Sequence, residues 1–187
     1  MKNEVLSLIA GFFAMLLVGT SYFFTKKKYY LFFQASGIVF LMASYLFDEA
    51  FFAMVGLGVA LVRTLVYYTY EKGDKFTPVW VGLLFAVLTV AAYLIVNLGI
   101  LKTAKPIDII CLLSLVAFAL ILRIRDLETV RYFVLLPIVL SIVYNAFSGA
   151  AAFVTVSYSF ELVMSVLAIC KYQIFNKKAK ENTNEKS

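Results

Sequence analysis

Apolar residues fill seven runs of the chain, and each run is about as long as a membrane-spanning helix. The runs cover residues 5–24, 29–47, 50–70, 78–99, 107–122, 130–147 and 150–175. A helix needs roughly 20 mostly apolar residues to cross a hydrocarbon core of about 30 Å. The pattern therefore predicts an all-α fold, a polytopic membrane protein with seven transmembrane helices.

The basic residues lie mainly on one side of the predicted membrane. Of the 17 Lys and Arg residues, thirteen lie in or beside the segments after the first, third, fifth and seventh runs, and three lie on the other side. Arg63, inside the third run, is the remaining one. Cytoplasmic loops of membrane proteins carry the excess of Lys and Arg. We therefore predict that the N-terminus is outside and the C-terminus cytoplasmic, with a disordered cytoplasmic tail over residues 176–187.

Composition narrows the class of protein further. Hydrophobic residues make up 63% of the chain and charged residues 15%, whereas a soluble domain is nearer half apolar and a quarter charged. The net charge of +6 follows from the topology signals, so we predict no nucleic-acid partner. The chain has no histidine, and on this ground we exclude both zinc chemistry and a histidine-based catalytic triad, and predict no metal site. We expect no cofactor and no enzymatic activity.

Four small residues inside the runs are predicted to be packing positions. Cys111 and Cys170 both fall within predicted spans and are interpreted as unpaired small hydrophobes rather than disulfide partners. Gly56 and Gly58 lie two residues apart in the third run, where glycine commonly allows close helix contact.

The first three and the last three runs look like copies of one unit. Each unit has a span, a basic segment, a span ending in an aromatic corner, a short turn and a third span. Arg63 follows Tyr45 by 18 residues and Glu161 follows Tyr144 by 17, so two charges of opposite sign occupy nearly matching positions. We predict units at 1–70 and 106–175 with a linker helix at 78–99, a 3+1+3 layout of parallel repeats.

Two blocks carry a family resemblance. The stretches SYLFDEAFFAMVGLGVALVRTLVYY and RYFVLLPIVLSIVYNAFSGAAAFVTVSYSFELVMSV resemble the YgjV-type family of bacterial inner-membrane proteins. The most specific positions are Arg63-Thr64, Tyr144-Asn145-x-Phe147 and Glu161. That family is distantly similar to the SWEET, PQ-loop and nicotinamide riboside carrier groups, which implies a bacterial plasma (inner) membrane location and a SWEET-like arrangement. The chain has no Pro-Gln pair, so no sugar specificity is implied.

Polar side chains inside the runs suggest a central site. Lipid cannot satisfy such groups, so they must face protein or a water-filled cavity. We predict a site for a small polar or zwitterionic solute, or for a carboxylate recruited by Arg63. Its candidate binding residues are Arg63, Glu161, Tyr144, Asn145, Tyr158 and Gln34.

The function that follows is a small polar-solute transporter with its site between the two units. The alternative is a non-transporting membrane scaffold or subunit in which Arg63 and Glu161 form a structural ion pair. Such a pair would fix the docking of the two units without binding any solute.

Overall fold

The computed structural model describes residues 2–47, 51–95, 106–148 and 152–184. Over these ranges the protein has seven helices and no strand, which confirms the predicted all-α class. The helices are α1 (Lys2–Ser21), α2 (Lys27–Phe47), α3 (Phe51–Lys72), α4 (Val79–Leu94), α5 (Asp108–Ile121), α6 (Leu127–Ser148) and α7 (Ala152–Asn184).

The helices follow the predicted runs closely at most boundaries. The largest difference is in α7, which continues to Asn184, so residues 176–184 extend the helix where the sequence predicts a disordered tail. Lys, Glu and Ala in that stretch are good helix formers even without burial. The short turn expected between the second and third runs, which contains Asp48 and Glu49, lies outside the described residues.

Three helices are long and apolar enough to cross a membrane by length and composition. They are Lys27–Phe47, Leu127–Phe147 and Val154–Tyr172. The segments Val5–Ser21, Val79–Leu94 and Asp108–Ile121 are apolar but shorter. The count of seven spans therefore stays a prediction.

Local sequence explains several helix ends. Pro78 is the N-cap of α4, where its missing N–H leaves no donor unsatisfied. Asp126 precedes α6, and its carboxylate accepts hydrogen bonds from the N–H groups of Thr129 at 2.7 Å and Glu128 at 3.3 Å. This is the geometry of a helix N-cap. After α3, Asp74 takes the left-handed conformation (φ 51°) beside Gly73, in the turn that ends the helix.

The helices pack in the same order at both ends of the chain. α1 packs on α2 and α2 on α3, while α5 packs on α6 and α6 on α7. Each group joins its first two helices through a buried pair of serines, Ser7–Ser44 at 2.9 Å and Ser114–Ser141 at 2.8 Å. α4 contacts α5 and α3, and α1 also contacts α7. These contacts agree with two three-helix groups separated by α4.

The packed core lies at the end of the bundle that carries the segments 22–26, 73–78 and 122–126, here called the basic end. Tyr22, Tyr30, Tyr67, Val130 and Val134 belong to this core and are almost completely buried. Large apolar side chains on the outside of the helices are exposed instead, as in a protein that contacts lipid.

Glycines permit close helix contact, but not at the predicted positions. A Cβ at Gly19 would lie 2.5 Å from Cε1 of Phe160 on α7, and one at Gly37 would lie 2.5 Å from Cγ2 of Val18 on α1. Among the described side chains, nothing lies within 4 Å of a Cβ built at Gly56 or Gly58. The described part of the chain therefore does not show the close contact predicted at Gly56 and Gly58.

Candidate functional site

A cavity of about 860 Å³ lies among the helices, and side chains from all seven helices line it. This volume is within the range of about 300–1,000 Å³ typical of small-molecule sites. All six residues predicted for the central site line it: Gln34, Arg63, Tyr144, Asn145, Tyr158 and Glu161. The tertiary structure thus brings together side chains from α2, α3, α6 and α7 that are up to 127 residues apart in the chain (161 − 34).

The cavity extends along the bundle from the end opposite the basic end. Its lining includes Ser7 near the start of α1, Tyr45 near the end of α2 and Tyr93 near the end of α4. Towards the basic end its lining reaches Tyr30 and Leu122, which also belong to the buried core. These two side chains are 1% and 4% exposed, so packed side chains line the cavity at this end.

Arg63 is buried in the cavity wall without a hydrogen-bond partner for its Nε atom. Its side chain is only 5% exposed, and Nε has no acceptor within the described parts of the chain. The guanidinium therefore does not turn out of the bundle towards water. A buried donor that lacks a partner is costly, and an Arg side chain has five N–H donors to satisfy.

Glu161 is buried on α7 and accepts a hydrogen bond from Tyr22. The Tyr22 hydroxyl lies 2.6 Å from Oε1 of Glu161, and the two side chains are 0% and 9% exposed. Gln34 donates to Ser21 Oγ at 3.1 Å beside this contact. A carboxylate can accept about four hydrogen bonds, so Glu161 retains acceptor capacity.

Arg63 and Glu161 do not form an ion pair with each other. Lys27 and Glu71 do form an ion pair, with Nζ and Oε1 at 2.8 Å, between the start of α2 and the end of α3. The direct Arg63–Glu161 contact of the structural interpretation is therefore absent. Both side chains instead face one cavity, and Tyr30 and Tyr158 each lie within electrostatic range of both charges.

Contacts between the two three-helix groups close the basic end. Arg131 Nε donates to the Tyr22 carbonyl at 3.0 Å, and Arg131 Nη2 donates to the Phe24 carbonyl. The Arg131 guanidinium also stacks on the Tyr172 ring, 3.9 Å from its centroid. A cation at these carbonyls complements the dipole at the C-terminus of α1.

The two groups exchange a matching tyrosine contact at this end. Tyr67 on α3 donates to the Ala119 carbonyl on α5 at 2.7 Å, and Tyr172 on α7 donates to the Phe23 carbonyl after α1 at 2.8 Å. In each case the third helix of one group binds the main chain near the end of the first helix of the other. This reciprocity agrees with an internal repeat.

The described chain thus combines long apolar helices, exposed apolar side chains and a largely apolar cavity that two buried charges line. A family model described as Imp-YgjV, bacterial inner membrane protein, matches residues 5–174. The chain belongs to this family. No curated protein and no solved structure matches the chain in the corresponding searches.

The Imp-YgjV match confirms the resemblance stated from the two sequence blocks. It supports an integral protein of the bacterial inner membrane. The family match does not identify a solute. It also does not say on which side of the membrane each terminus lies.

Two residues at the site were missed by sequence reasoning in this Imp-YgjV chain. Tyr22 was treated as part of the first apolar run, and Arg131 was counted only as a basic topology signal. Arg131 is 2% exposed, so it is a buried structural side chain. Arg131 lies four residues after the start of α6, whereas Arg125 is exposed before the helix. This position inside a predicted apolar run could have indicated that Arg131 is buried. Tyr22 carried no comparable signal, because its partner is 139 residues away.

Proposed function

We propose that this protein is a small polar-solute transporter of the bacterial inner membrane, with its binding site in the central cavity. The observation that carries the proposal is that all six residues selected for a site line one cavity of about 860 Å³. Polar and charged residues inside membrane-spanning helices are expensive, which makes a cluster of them around a cavity a functional site by default.

The proposed mechanism is rocking of two three-helix bundles, arranged 3+1+3, about the cavity. In support of this mechanism, four contacts that cross between the bundles lie at or near the basic end. They are Tyr22–Glu161, Arg131 to the carbonyls of residues 22 and 24, Tyr172–Phe23 and Tyr67–Ala119. They can break and reform as a group without disturbing the packing inside either bundle. Opening the basic end would then expose the cavity to the other side of the membrane.

The orientation in this proposal follows from the positive-inside rule. The basic end would face the cytoplasm, with the N-terminus outside and the C-terminus cytoplasmic. The conformation described would then hold its cavity towards the outside and be closed to the cytoplasm. A green fluorescent protein fused at the C-terminus should fluoresce, whereas an alkaline phosphatase fusion at the same position should be inactive.

Cys111 offers a direct test of the cavity. It is a free cysteine that lines the cavity, whereas Cys170 is exposed on the outside of the bundle. In a Cys170→Ser background, a membrane-impermeant thiosulfonate added outside intact spheroplasts should modify Cys111. The double Cys111→Ser, Cys170→Ser variant is the control. Modification only from the cytoplasmic side would contradict the proposed orientation.

Transport itself requires reconstitution. A metabolite library screened by thermal unfolding of the purified protein should yield solutes that raise the unfolding temperature, because ligands of the native state stabilise it. These solutes should then enter proteoliposomes, and Cys111 modification should slow their uptake. If stabilising solutes bind but none is taken up, the scaffold or subunit alternative is favoured.

A further inference from the structure

Two opposite charges face the same cavity without pairing with each other. Arg63 and Glu161 are the charged residues among the described side chains that line it. They are 5% and 9% exposed, and they do not form an ion pair. An isolated buried ion costs several kcal/mol of stability. Two charges that line one cavity without pairing are therefore unstable unless a ligand supplies opposite charges to them.

The two charges are not equivalent in what they lack. Glu161 accepts a hydrogen bond from the Tyr22 hydroxyl at 2.6 Å and also interacts with the Gln34 side chain, and its two oxygens retain acceptor capacity beyond these contacts. Arg63 Nε has no acceptor at all in the described structure. The arginine therefore needs an acceptor pair such as a carboxylate, and the glutamate can accept further donors such as an ammonium group.

We infer that the solute is a zwitterion whose carboxylate binds Arg63 and whose ammonium group binds Glu161. This inference rests on the proposed central site and narrows its solute class. A zwitterion neutralises both buried charges and adds no net charge to the cavity. A ligand with only a carboxylate pairs with Arg63 alone, and a ligand with only an amine pairs with Glu161 alone. In each case the other buried charge stays unpaired.

The side chains that line the cavity indicate which chemical groups the solute carries between its two charges. Tyr30 and Tyr158 lie within electrostatic range of both charges, and apolar side chains such as Leu41, Val59 and Leu115 contribute to the lining. An aromatic and aliphatic surface favours a ligand with an apolar segment between or beside its two charged groups. Because Arg63 and Glu161 do not touch, a zwitterion with separated charges spans them better than a compact one.

Four matched probes test this assignment. ε-Aminocaproate carries both charges, caproate lacks the amine, hexylamine lacks the carboxylate, and caproamide lacks both. Binding is measured by isothermal titration calorimetry on the full chain in nanodiscs. We expect ε-aminocaproate to bind at least about tenfold more tightly than any of the other three, since each charge-assisted contact is a strong one. Glycine, β-alanine and γ-aminobutyrate then report how far apart the bound charges are.

Single-residue variants separate the two ends of the ligand. Arg63→Gln should reduce the affinity for ε-aminocaproate to that for hexylamine while leaving hexylamine binding unchanged. Glu161→Gln should reduce it to that for caproate while leaving caproate binding unchanged. Arg125→Gln, at an exposed position outside the cavity, is the matched control and should bind all probes like the parent. A folding defect would weaken every probe together, which differs from this crossed pattern.

The outcomes distinguish this inference from the proposed function. Caproate or hexylamine binding as tightly as ε-aminocaproate, no binding of any probe, or an equal effect of both variants on every probe would overturn the zwitterion assignment. Crossed binding without uptake into proteoliposomes would support the assignment and contradict transport. Uptake of a different solute class without zwitterion binding would overturn the assignment and leave transport standing.

Discussion

Arg63 and Arg131 are both almost fully buried, yet the same substitution at the two positions should have opposite effects on stability. Arg131 donates to the carbonyls of Tyr22 and Phe24 and stacks on Tyr172. Arg63 Nε is buried and has no hydrogen-bond partner in the described parts of the chain. Replacement of each by methionine keeps an unbranched side chain of similar length and removes the charge.

The contacts set the expected magnitudes. A hydrogen bond from a charged group contributes about 1.5–3 kcal/mol, and a desolvated cation–π contact contributes about 2 kcal/mol. These contributions share one side chain and do not add fully, so Arg131→Met should lower the free energy of unfolding by about 3–5 kcal/mol. A lone arginine within an apolar span costs roughly 2.5–3.5 kcal/mol. Arg63→Met should therefore change stability little, or raise it by up to about 2 kcal/mol.

The free energy of unfolding can be measured by circular dichroism as sodium dodecyl sulfate is titrated into mixed micelles of the purified protein. Arg125→Met, at an exposed position, is the control for loss of a positive charge. A loss of more than about 1 kcal/mol in Arg63→Met would refute the reasoning, because a loss of that size requires a structural partner for the guanidinium. An equal loss at the two arginines would do the same.

Three further predictions concern individual contacts. In a double-mutant cycle, Tyr22→Phe and Glu161→Gln should show a coupling energy of about 1.5–3 kcal/mol, because their 2.6 Å hydrogen bond involves a buried carboxylate. Gly19→Ala should destabilise the protein by about 1–3 kcal/mol through a clash with α7, whereas Gly56→Ala should be neutral or stabilising because its Cβ meets nothing within 4 Å. Asp126→Ala should cost about 1 kcal/mol at neutral pH, since it removes the N-cap of α6.

The Asp126 cap also predicts a pH dependence. Hydrogen bonds from Thr129 lower the pKa of the Asp126 carboxyl from its ordinary value. The unfolded chain has the higher pKa, so the cap stabilises the native state above that value. This contribution is lost as the pH falls through the lowered pKa of the folded state, below about pH 4. Asp126→Ala should remove this acid dependence, measured by thermal unfolding between neutral and acid pH.

Controls and contrary outcomes are available for each contact. Tyr29→Phe removes a hydroxyl from a tyrosine that is 46% exposed and should leave stability unchanged. A coupling between residues 22 and 161 below about 0.5 kcal/mol would contradict the hydrogen bond. Equal effects of alanine at residues 19 and 56 would contradict the close packing of α1 on α7. Asp126→Asn should retain most of the cap at neutral pH, because asparagine caps about as well as aspartate.

The sequence alone determined the helices and most of the site residues. Apolar runs of span length, broken by basic segments and turn residues, predict where each helix lies, because lipid or a core must cover every apolar face. Polar residues inside such runs predict an inward-facing site for the same reason. These are local properties, so Gln34, Arg63 and Glu161 could be selected without knowing which helices are neighbours.

Only the tertiary structure decided which of those residues touch. The matching positions of Arg63 and Glu161 left a direct ion pair open as the structural alternative, but the fold places Tyr22 against Glu161 and leaves Arg63 Nε without a partner among the described residues. Arg131 looked like a topology signal, but the end of α1 lies against α6 and buries it. Contacts between side chains far apart in the chain depend on helix rotation and depth, and a one-residue change rotates a side chain by about 100° around the helix. Sequence patterns define the inward face of a helix but not the atom that meets a given partner.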